Sequence, residues 1–193
     1  EIFTPGLLIY IILYIICISI NKDRLFDDYD EYNHWGLILK NMFYYNGYGT
    51  LSNSRVTFNE YPPFTACFSY LLLNIKGTYI EELAIVAQNL LYLSFIIPIT
   101  NNIKFSLKLE NIKKTILILA FIIITPLIYF HAFFSNILVD GLLGILFGIG
   151  LYIIYQNTNE LLYKNIILTC ILIAICLIKS IGIFFCLIII IIN

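Results

Sequence analysis

The sequence predicts an all-α protein, a polytopic bundle of transmembrane helices with interfacial amphipathic helices in a large first outer loop. Hydrophobic residues make up 61% of the 193 residues and charged residues only 12%, and the mean hydropathy is +0.92. This balance lies outside that of soluble globular domains. Apolar runs of helical length recur along the chain, and six of its twelve acidic residues lie in one polar stretch, residues 21–78.

The composition excludes nucleic acid as a partner. Eleven Lys and Arg residues are scattered among twelve acidic ones, so the net charge is −1 and there is no basic stripe. The five cysteines have neither metal-ligand nor disulfide spacing and are interpreted as small hydrophobic residues. The chain starts at Glu1 and stops within an apolar run, so we expect residues 1–193 to be a single transmembrane domain, the N-terminal part of a longer protein.

The first half of the chain predicts one span and the start of the outer loop. The apolar run at residues 5–20 is interpreted as the first transmembrane helix, although a span usually needs about 20 residues. Residues 21–78 form the first extracytoplasmic loop. Within it, Trp35, Ile38 and Met42 follow helical spacing, which predicts a helix lying in the membrane interface.

The rest of this loop predicts a turn and a short helix. Asn46-Gly47 together with Gly49 favours a turn, and residues 50–59 are expected to be irregular. Pro62-Pro63 precede an apolar run at residues 64–75. That run is too short to span a membrane, so we expect an interfacial or re-entrant helix.

The second half of the chain predicts four more membrane segments. These are residues 79–100, 115–130, 137–155 and 165–178, followed by a return segment from Ile181. Residues 101–114 carry four lysines against Glu110, which places this loop in the cytoplasm. Alternation then places the acidic loop and the link at residues 131–136 on the outer face. A helix continuous through Lys179 would centre a charge in the bilayer, so we expect a break at Lys179-Ser180.

The segment from Asp27 to Trp35 concentrates residues that can carry chemistry. In an α-helix Asp27 and Glu31, and likewise Asp30 and His34, are four residues apart, so each pair shares a face. Such pairs suit a general base or a bound cation. The alternative is that these acids are simply solvated.

Three further polar residues lie at the outer ends of predicted spans. His131 is either a ligand or an interfacial histidine. Asp140 either faces a cavity or a partner, because a carboxylate facing lipid is costly, or it is an acidic residue at a helix N-terminus. Lys179 either binds an anion or extends its ammonium to the interface from a helix end.

Two motifs resemble the membrane-embedded GT-C glycosyltransferases, a superfamily that includes protein O-mannosyltransferases and bacterial lipid-A aminoarabinose transferases. The first motif is D-E-Y-x-H-W-G, from Asp30 to Gly36, after the first span. The second is E-Y-P-P, from Glu60 to Pro63, which is similar to the E-x-P-P element of those enzymes. Asp140 in ILVDGLLG and Lys179 in LIKSIG resemble an acidic span head and a K-G-P-like element of the same superfamily.

Two positions depart from these patterns. Tyr61 stands where E-K-P-P has lysine, so the phosphate contact expected there would have to come from Lys179 or Arg55. Phe64 replaces the glycine of the Y-P-P-G form, which occurs in uncharacterised bacterial members that also read D-E-[FY]-x-H-W.

The resemblance implies a GT-C-like enzyme of the bacterial cytoplasmic membrane with its active site on the outer face. Such an enzyme transfers a sugar, with inversion, from a polyprenyl-phosphate donor to a glycan, lipid or protein acceptor. Because transfer needs a carboxylate near the acceptor hydroxyl, Asp30 is predicted as the general base. Glu31, the second catalytic residue, and His34 are expected to orient it or share a cation. The implied substrate contacts come from His34, Tyr61, Asp140, Lys179 and Arg55. A divalent metal held by Glu60 and His131 is left open, and no other cofactor is expected.

Two other classes of protein stay open. A transporter or flippase for a lipid-linked or anionic substrate would use the outer acids as a vestibule, and should place polar groups near the membrane midplane. Apart from Gln88 and Lys179, the predicted spans are nearly free of such groups. A membrane subunit without chemistry would show no convergence of polar residues.

Overall fold

The computed structural model describes residues 4–47, 55–58, 60–100, 103, 106–156 and 161–193. Over these residues the chain is all-helical and has no strand, as predicted. The α-helices of this part of the chain are α1 Pro5–Ile20, α2 Gly36–Tyr45, α3 Phe64–Lys76, α4 Glu81–Thr100, α5 Leu109–Tyr129, α6 Asp140–Tyr155, α7 Leu161–Ile178 and α8 Gly182–Ile192. A π-helical turn, Glu31–Trp35, precedes α2, and a 3₁₀ turn, Phe133–Ser135, precedes α6.

Three of these helices, α4, α5 and α7, are long and apolar enough to cross a membrane. The helices α1 and α6 are also apolar, but each has 16 residues and is about 24 Å long at 1.5 Å per residue. The helix α8 has 11 residues. Length and composition are therefore those of a helical membrane protein.

The helix α4 lies at the centre of the bundle. It packs against α1, α3 and α6, and α6 packs against α7 and α8. Ile85 and Tyr92 on α4 are almost completely buried, as are Leu142 and Ile149 on α6. In contrast, only 11% of the apolar span in α5 is buried, against 72% in α4. The helix α5 therefore lies at the edge of the bundle with most of its apolar surface facing outward.

The polar helix ends gather at one end of the bundle, which we call the outer end. Asn21, after α1, donates a 2.9 Å hydrogen bond from Nδ2 to Phe134 O, and Glu82 in α4 accepts one from Asp23 N at 2.8 Å. The end of α1 thus meets the start of α4 and the link before α6. The end of α7 meets the start of α6 through Lys179 and Asp140. This arrangement is the one that alternating spans require, while the side of the membrane that this end faces stays a prediction.

The helix break predicted at Lys179 is confirmed. The helix α7 ends at Ile178 and α8 begins at Gly182, whose N–H donates to Lys179 O at 2.8 Å. A Cβ on Gly182 would lie 2.0 Å from Ile175 O, so only glycine fits this turn. Lys179 is thereby held at the outer end of the α7–α8 hairpin.

Three helices begin three or more residues away from the start that hydropathy predicts. The helices α5 and α7 begin at Leu109 and Leu161, before their apolar runs, because a helix continues past the apolar turns that hydropathy detects. The helix α6 begins only at Asp140, since the N–H groups of residues 137 and 138 bond to side-chain oxygens of Glu31 and Asn136. The predicted short helices of the outer loop are present as α2 and α3.

Several predicted loop features lie outside the described residues. They are Gly49 of the predicted turn, residues 50–54 and Asn59 of the irregular stretch, residues 101, 102, 104 and 105 of the predicted cytoplasmic loop, and residues 157–160 between the predicted segments 137–155 and 165–178.

Candidate functional site

The acidic segment is not the regular α-helix that its spacing suggested. Asp27 precedes the helical residues, and the Gly36 N–H donates to Glu31 O, five residues earlier, in a π-helical turn. A Cβ on Gly36 would lie 2.5 Å from Glu31 O and 2.5 Å from the Phe26 ring, so this turn requires glycine. The expectation that Asp27 and Glu31 share one α-helical face is therefore wrong.

Glu31 is completely buried, and both oxygens of its carboxylate accept backbone hydrogen bonds. Oε2 accepts from the N–H groups of Asp27 and Asp28, at 3.0 Å each. Oε1 accepts from Ile137 N at 2.9 Å. Three N–H donors compensate the burial of this charge. Glu31 is thus part of the framework of the site, whereas the neighbouring Asp30 is exposed.

His34 is buried next to this segment. Its Nδ1 accepts a 3.4 Å hydrogen bond from Phe58 N, which leaves the proton on Nε2. Nε2 is itself buried and has no hydrogen-bond partner among the described residues. Burial lowers the pKa of His34 below its usual 6.5, as does the charge of Lys179, while Asp30 and Glu60 act in the opposite direction. His34 is therefore a neutral imidazole at neutral pH.

Trp35, Phe58 and Tyr61 form an aromatic cluster around His34. The Tyr61 ring is stacked with Phe58 at 5.1 Å and with Trp35 at 6.1 Å between ring centres. It meets the His34 ring edge-on at 5.6 Å. Nζ of Lys179 lies 5.4 Å from the centre of the Tyr61 ring, within the range of a cation–π interaction. The cluster thus joins the two motifs of the outer loop to the α7–α8 turn.

Lys179 also forms an ion pair with Asp140. Its Nζ lies 2.6 Å from Oδ1 of Asp140, the first residue of α6. The side chain of Lys179 is 21% exposed and that of Asp140 is 72% exposed. Asp140 therefore has its carboxylate at a helix N-terminus, where the dipole favours negative charge, and this carboxylate still reaches solvent.

An apolar groove of about 670 Å³ extends from Asp140 along α6, between α4 and α5. Its walls include Tyr92 from α4, Phe121 from α5, and Gly144 and Gly148 from α6. A Cβ added to either glycine would meet no atom within 4 Å, so these positions open the groove. The groove therefore has an apolar body, and Asp140, the partner of Lys179, lies at its outer end.

The remaining predicted site residues lie at the surface. Arg55, Glu60 and His131 are all exposed, and the His131 ring contacts Phe130, with 5.6 Å between ring centres. No three His, Cys, Asp or Glu side chains converge on a point where a metal could bind, within the part of the chain that the structure describes. The structure thus brings His34, Tyr61, Asp140 and Lys179 together, but it does not gather Glu60 and His131 into such a group.

Sequence reasoning noted Gln88 but missed the buried polar residues that accompany it beside the site. Asn21, Gln88, Asn89 and Asn136 are all at least 96% buried. Asn89 Nδ2 donates to Phe134 O and Gln88 Nε2 donates to Leu138 O, each at 2.8 Å. A signal was present, because adjacent amides inside an apolar span are costly unless they bond to something. Their partner, the link before α6, could not be identified from local sequence.

Fold and site together define a helical protein of membrane-like composition with a polar site at one end of its bundle. No family model matches the chain, and no curated protein or solved structure is significantly similar to it.

Proposed function

We propose that this protein is an integral-membrane glycosyltransferase that takes a sugar from a polyprenyl-phosphate donor and transfers it, with inversion, to an acceptor hydroxyl at the outer face. The observation that carries the proposal is that Asp140, the ion-pair partner of Lys179, lines the outer end of the 670 Å³ apolar groove. A lipid phosphate has the matching chemistry, since an apolar chain can enter the groove while the phosphate lies near the ammonium.

Lys179 is proposed to bind the phosphate of the donor. As the bond between the sugar C1 and the phosphate oxygen breaks, the leaving polyprenyl phosphate gains negative charge. A fixed ammonium stabilises this transition state more than the ground state. The Tyr61 ring and Asp140 restrain the ammonium from two directions. A cation above the Tyr61 ring would also supply the charge that E-K-P-P enzymes are expected to carry at this position.

Asp30 is proposed as the general base. Its carboxylate is exposed, and it is close enough to His34 and the aromatic cluster for its charge to affect the His34 pKa. The acceptor hydroxyl attacks C1 of the sugar and passes its proton to Asp30, while polyprenyl phosphate leaves from the opposite side. Asp30 suits this role better than Glu31, whose oxygens are occupied by three backbone N–H groups.

A transporter is less well supported by these contacts. Transporters place free polar groups near the membrane midplane. In the described residues, the buried amides of Gln88 and Asn89 on α4 donate to backbone carbonyls of the link before α6. These two amides therefore stabilise the fold, and neither is a free polar group that could line a path for a substrate.

The test is donor turnover by the full-length protein in detergent. Polyprenyl-phosphate mannose, glucose and aminoarabinose would be supplied, and release of polyprenyl phosphate measured. Asp30→Asn should lower turnover by about 10²–10⁴-fold, the usual contribution of a general base. Asp27→Asn is the matched control, because Asp27 forms an exposed ion pair with Arg24 at 2.9 Å, and should stay within about twofold. Equal turnover of both variants would remove Asp30 from the mechanism, and no release from any donor would contradict the proposal as a whole.

A further inference from the structure

The link between α5 and α6, residues 130–139, is held by side chains from several other elements. Its carbonyl groups accept hydrogen bonds from Arg24 Nε at Ser135 (2.7 Å), from Asn89 at Phe134 (2.8 Å) and from Gln88 at Leu138 (2.8 Å). Glu31 contributes the opposite kind of contact, since its Oε1 accepts from the N–H of Ile137. Ile137 lies three residues before Asp140, the partner of Lys179.

We infer that Glu31 is a positioning residue that fixes the acidic segment of the outer loop against the link leading to Asp140. One of its oxygens holds the N–H groups of Asp27 and Asp28, and the other holds Ile137, 106 residues further along the chain. Glu31 thereby sets the distance between the exposed carboxylate of Asp30 and the Lys179–Asp140 pair. The role of this distance in turnover rests on the proposed function, whereas the hydrogen bonds do not.

The chemistry of the carboxylate suits this role. Both oxygens accept, so Glu31 can serve donors on both sides at once. Glutamine has the same shape but only one accepting oxygen, so its NH₂ group would face a backbone N–H on one side. Because Glu31 is completely buried, water cannot relieve that contact, and an unsatisfied buried donor is costly.

Glu82 provides the matched control. Its Oε2 accepts a 2.8 Å hydrogen bond from Asp23 N, and its other oxygen has no partner among the described residues. Glu82→Gln can therefore keep this bond through its single oxygen. Glu31→Gln has one accepting oxygen for donors on two sides, so it cannot keep the hydrogen bonds to both segments.

The first measurement does not depend on any activity. Backbone hydrogen exchange in the full-length protein should accelerate at least tenfold in Glu31→Gln, in the peptide containing Asp27 and Asp28, in the peptide containing Ile137, or in both. Glu82→Gln should leave both peptides as in the wild type. Reductive methylation of Lys179, followed by mass spectrometry, should also become several-fold faster in Glu31→Gln, because the Asp140 partner is less well fixed. Unchanged exchange and unchanged Lys179 reactivity would overturn the inference.

A second variant covers the case in which Glu31→Gln does not fold. Glu31→Asp keeps the charge but is one methylene shorter, so it can reach one segment and not the other. We expect faster exchange either at Asp27 and Asp28 or at Ile137, with the remaining segment protected. Protection of both segments in Glu31→Asp would contradict the inference.

The third measurement separates positioning from direct proton transfer. If Glu31 is a positioning residue, Glu31→Gln should lower kcat by about 10²-fold, the scale of a 1 Å misplacement. The acid limb of the kcat–pH profile should stay in place, because the proposed base, Asp30, is unchanged. Loss of the acid limb in Glu31→Gln would identify Glu31 as the base and overturn the inference. If the wild type turns over no lipid-linked sugar, the proposed function fails, but the exchange and methylation results still decide the role of Glu31.

Discussion

Nζ of Lys179 lies 2.6 Å from Oδ1 of Asp140, and this ion pair joins the end of α7 to the start of α6. The same ammonium lies 5.4 Å from the centre of the Tyr61 ring in the outer loop. One side chain therefore joins three parts of the chain that are far apart in sequence: the end of α7 that carries it, the start of α6 and the outer loop. A lysine that merely extended from a helix end to the interface would need none of these partners.

Lys179 is expected to bind phosphate, and farnesyl phosphate is a suitable soluble probe. Lys179→Gln should weaken its binding at least tenfold, whereas Lys179→Arg should retain part of the affinity because the positive charge remains. Farnesol, which lacks the phosphate, should bind all three proteins alike. The control is Lys76→Gln, since Lys76 is an exposed lysine at the end of α3. Calorimetric titration in detergent measures these affinities, and equal affinities of the Gln and Arg variants would leave Lys179 as an anchor.

The groove along α6 is expected to hold the apolar chain of the same probe. Gly144 lines it, and no atom lies within 4 Å of the position its Cβ would occupy. Gly144→Leu should therefore fill the groove without a steric clash, weakening farnesyl phosphate binding at least tenfold while the thermal unfolding temperature is maintained. Ile173→Phe enlarges a side chain at an exposed position of α7 that does not line the groove, and should bind normally. Normal binding to both variants would show that the chain lies elsewhere.

His34 is expected to make stability depend on pH. Its pKa is lowered in the folded protein, so as pH falls below 6.5 the unfolded chain takes up a proton before the folded one does. Stability should thus be greatest above pH 6.5 and decline as pH falls from 6.5 toward the lowered pKa. Thermal unfolding in detergent from about pH 7.5 to 5 measures this decline.

The two histidines of the chain provide the control for this measurement. His34→Gln removes the titrating imidazole, so part of the decline should disappear. His131 is exposed, whereas His34 is buried. His131→Gln should therefore unfold with the pH dependence of the wild type. If His34→Gln kept the full decline, other groups would be responsible.

Gly36 is expected to be essential for the π-helical turn. Its Cβ would clash with Glu31 O and with the Phe26 ring, each at 2.5 Å. Gly36→Ala should therefore destabilise the protein by about 1–3 kcal/mol, as overpacking commonly does. Gly148→Ala, in a helix with open space around the added methyl, should be neutral or slightly stabilising. Unfolding in detergent at matched protein concentration compares the two, and equal stability would indicate that the turn can adjust.

The sequence alone determined the helices and their approximate limits. The run at residues 5–20, the short helix after Pro62-Pro63 and the break at Lys179-Ser180 were all predicted, because hydropathy, periodicity and the cost of a charge in a span depend only on neighbouring residues. The motifs also indicated which polar side chains to examine. The four residues His34, Tyr61, Asp140 and Lys179 were selected from sequence, and the structure brings them together.

Only the tertiary structure decided the environment of each acid. Asp30 and Glu31 are neighbours with the same chemistry, yet Asp30 is exposed and Glu31 is completely buried. The difference arises because adjacent residues of a helical turn project in different directions, and the carboxylate of Glu31 meets the N–H of Ile137, 106 residues later. The spacing of neighbouring residues cannot predict a hydrogen bond between residues 106 positions apart. Two of the hydrogen bonds of Glu31 come from its neighbours Asp27 and Asp28. The third, and with it the complete burial of the carboxylate, depends on the tertiary packing that brings the link before α6 to Glu31.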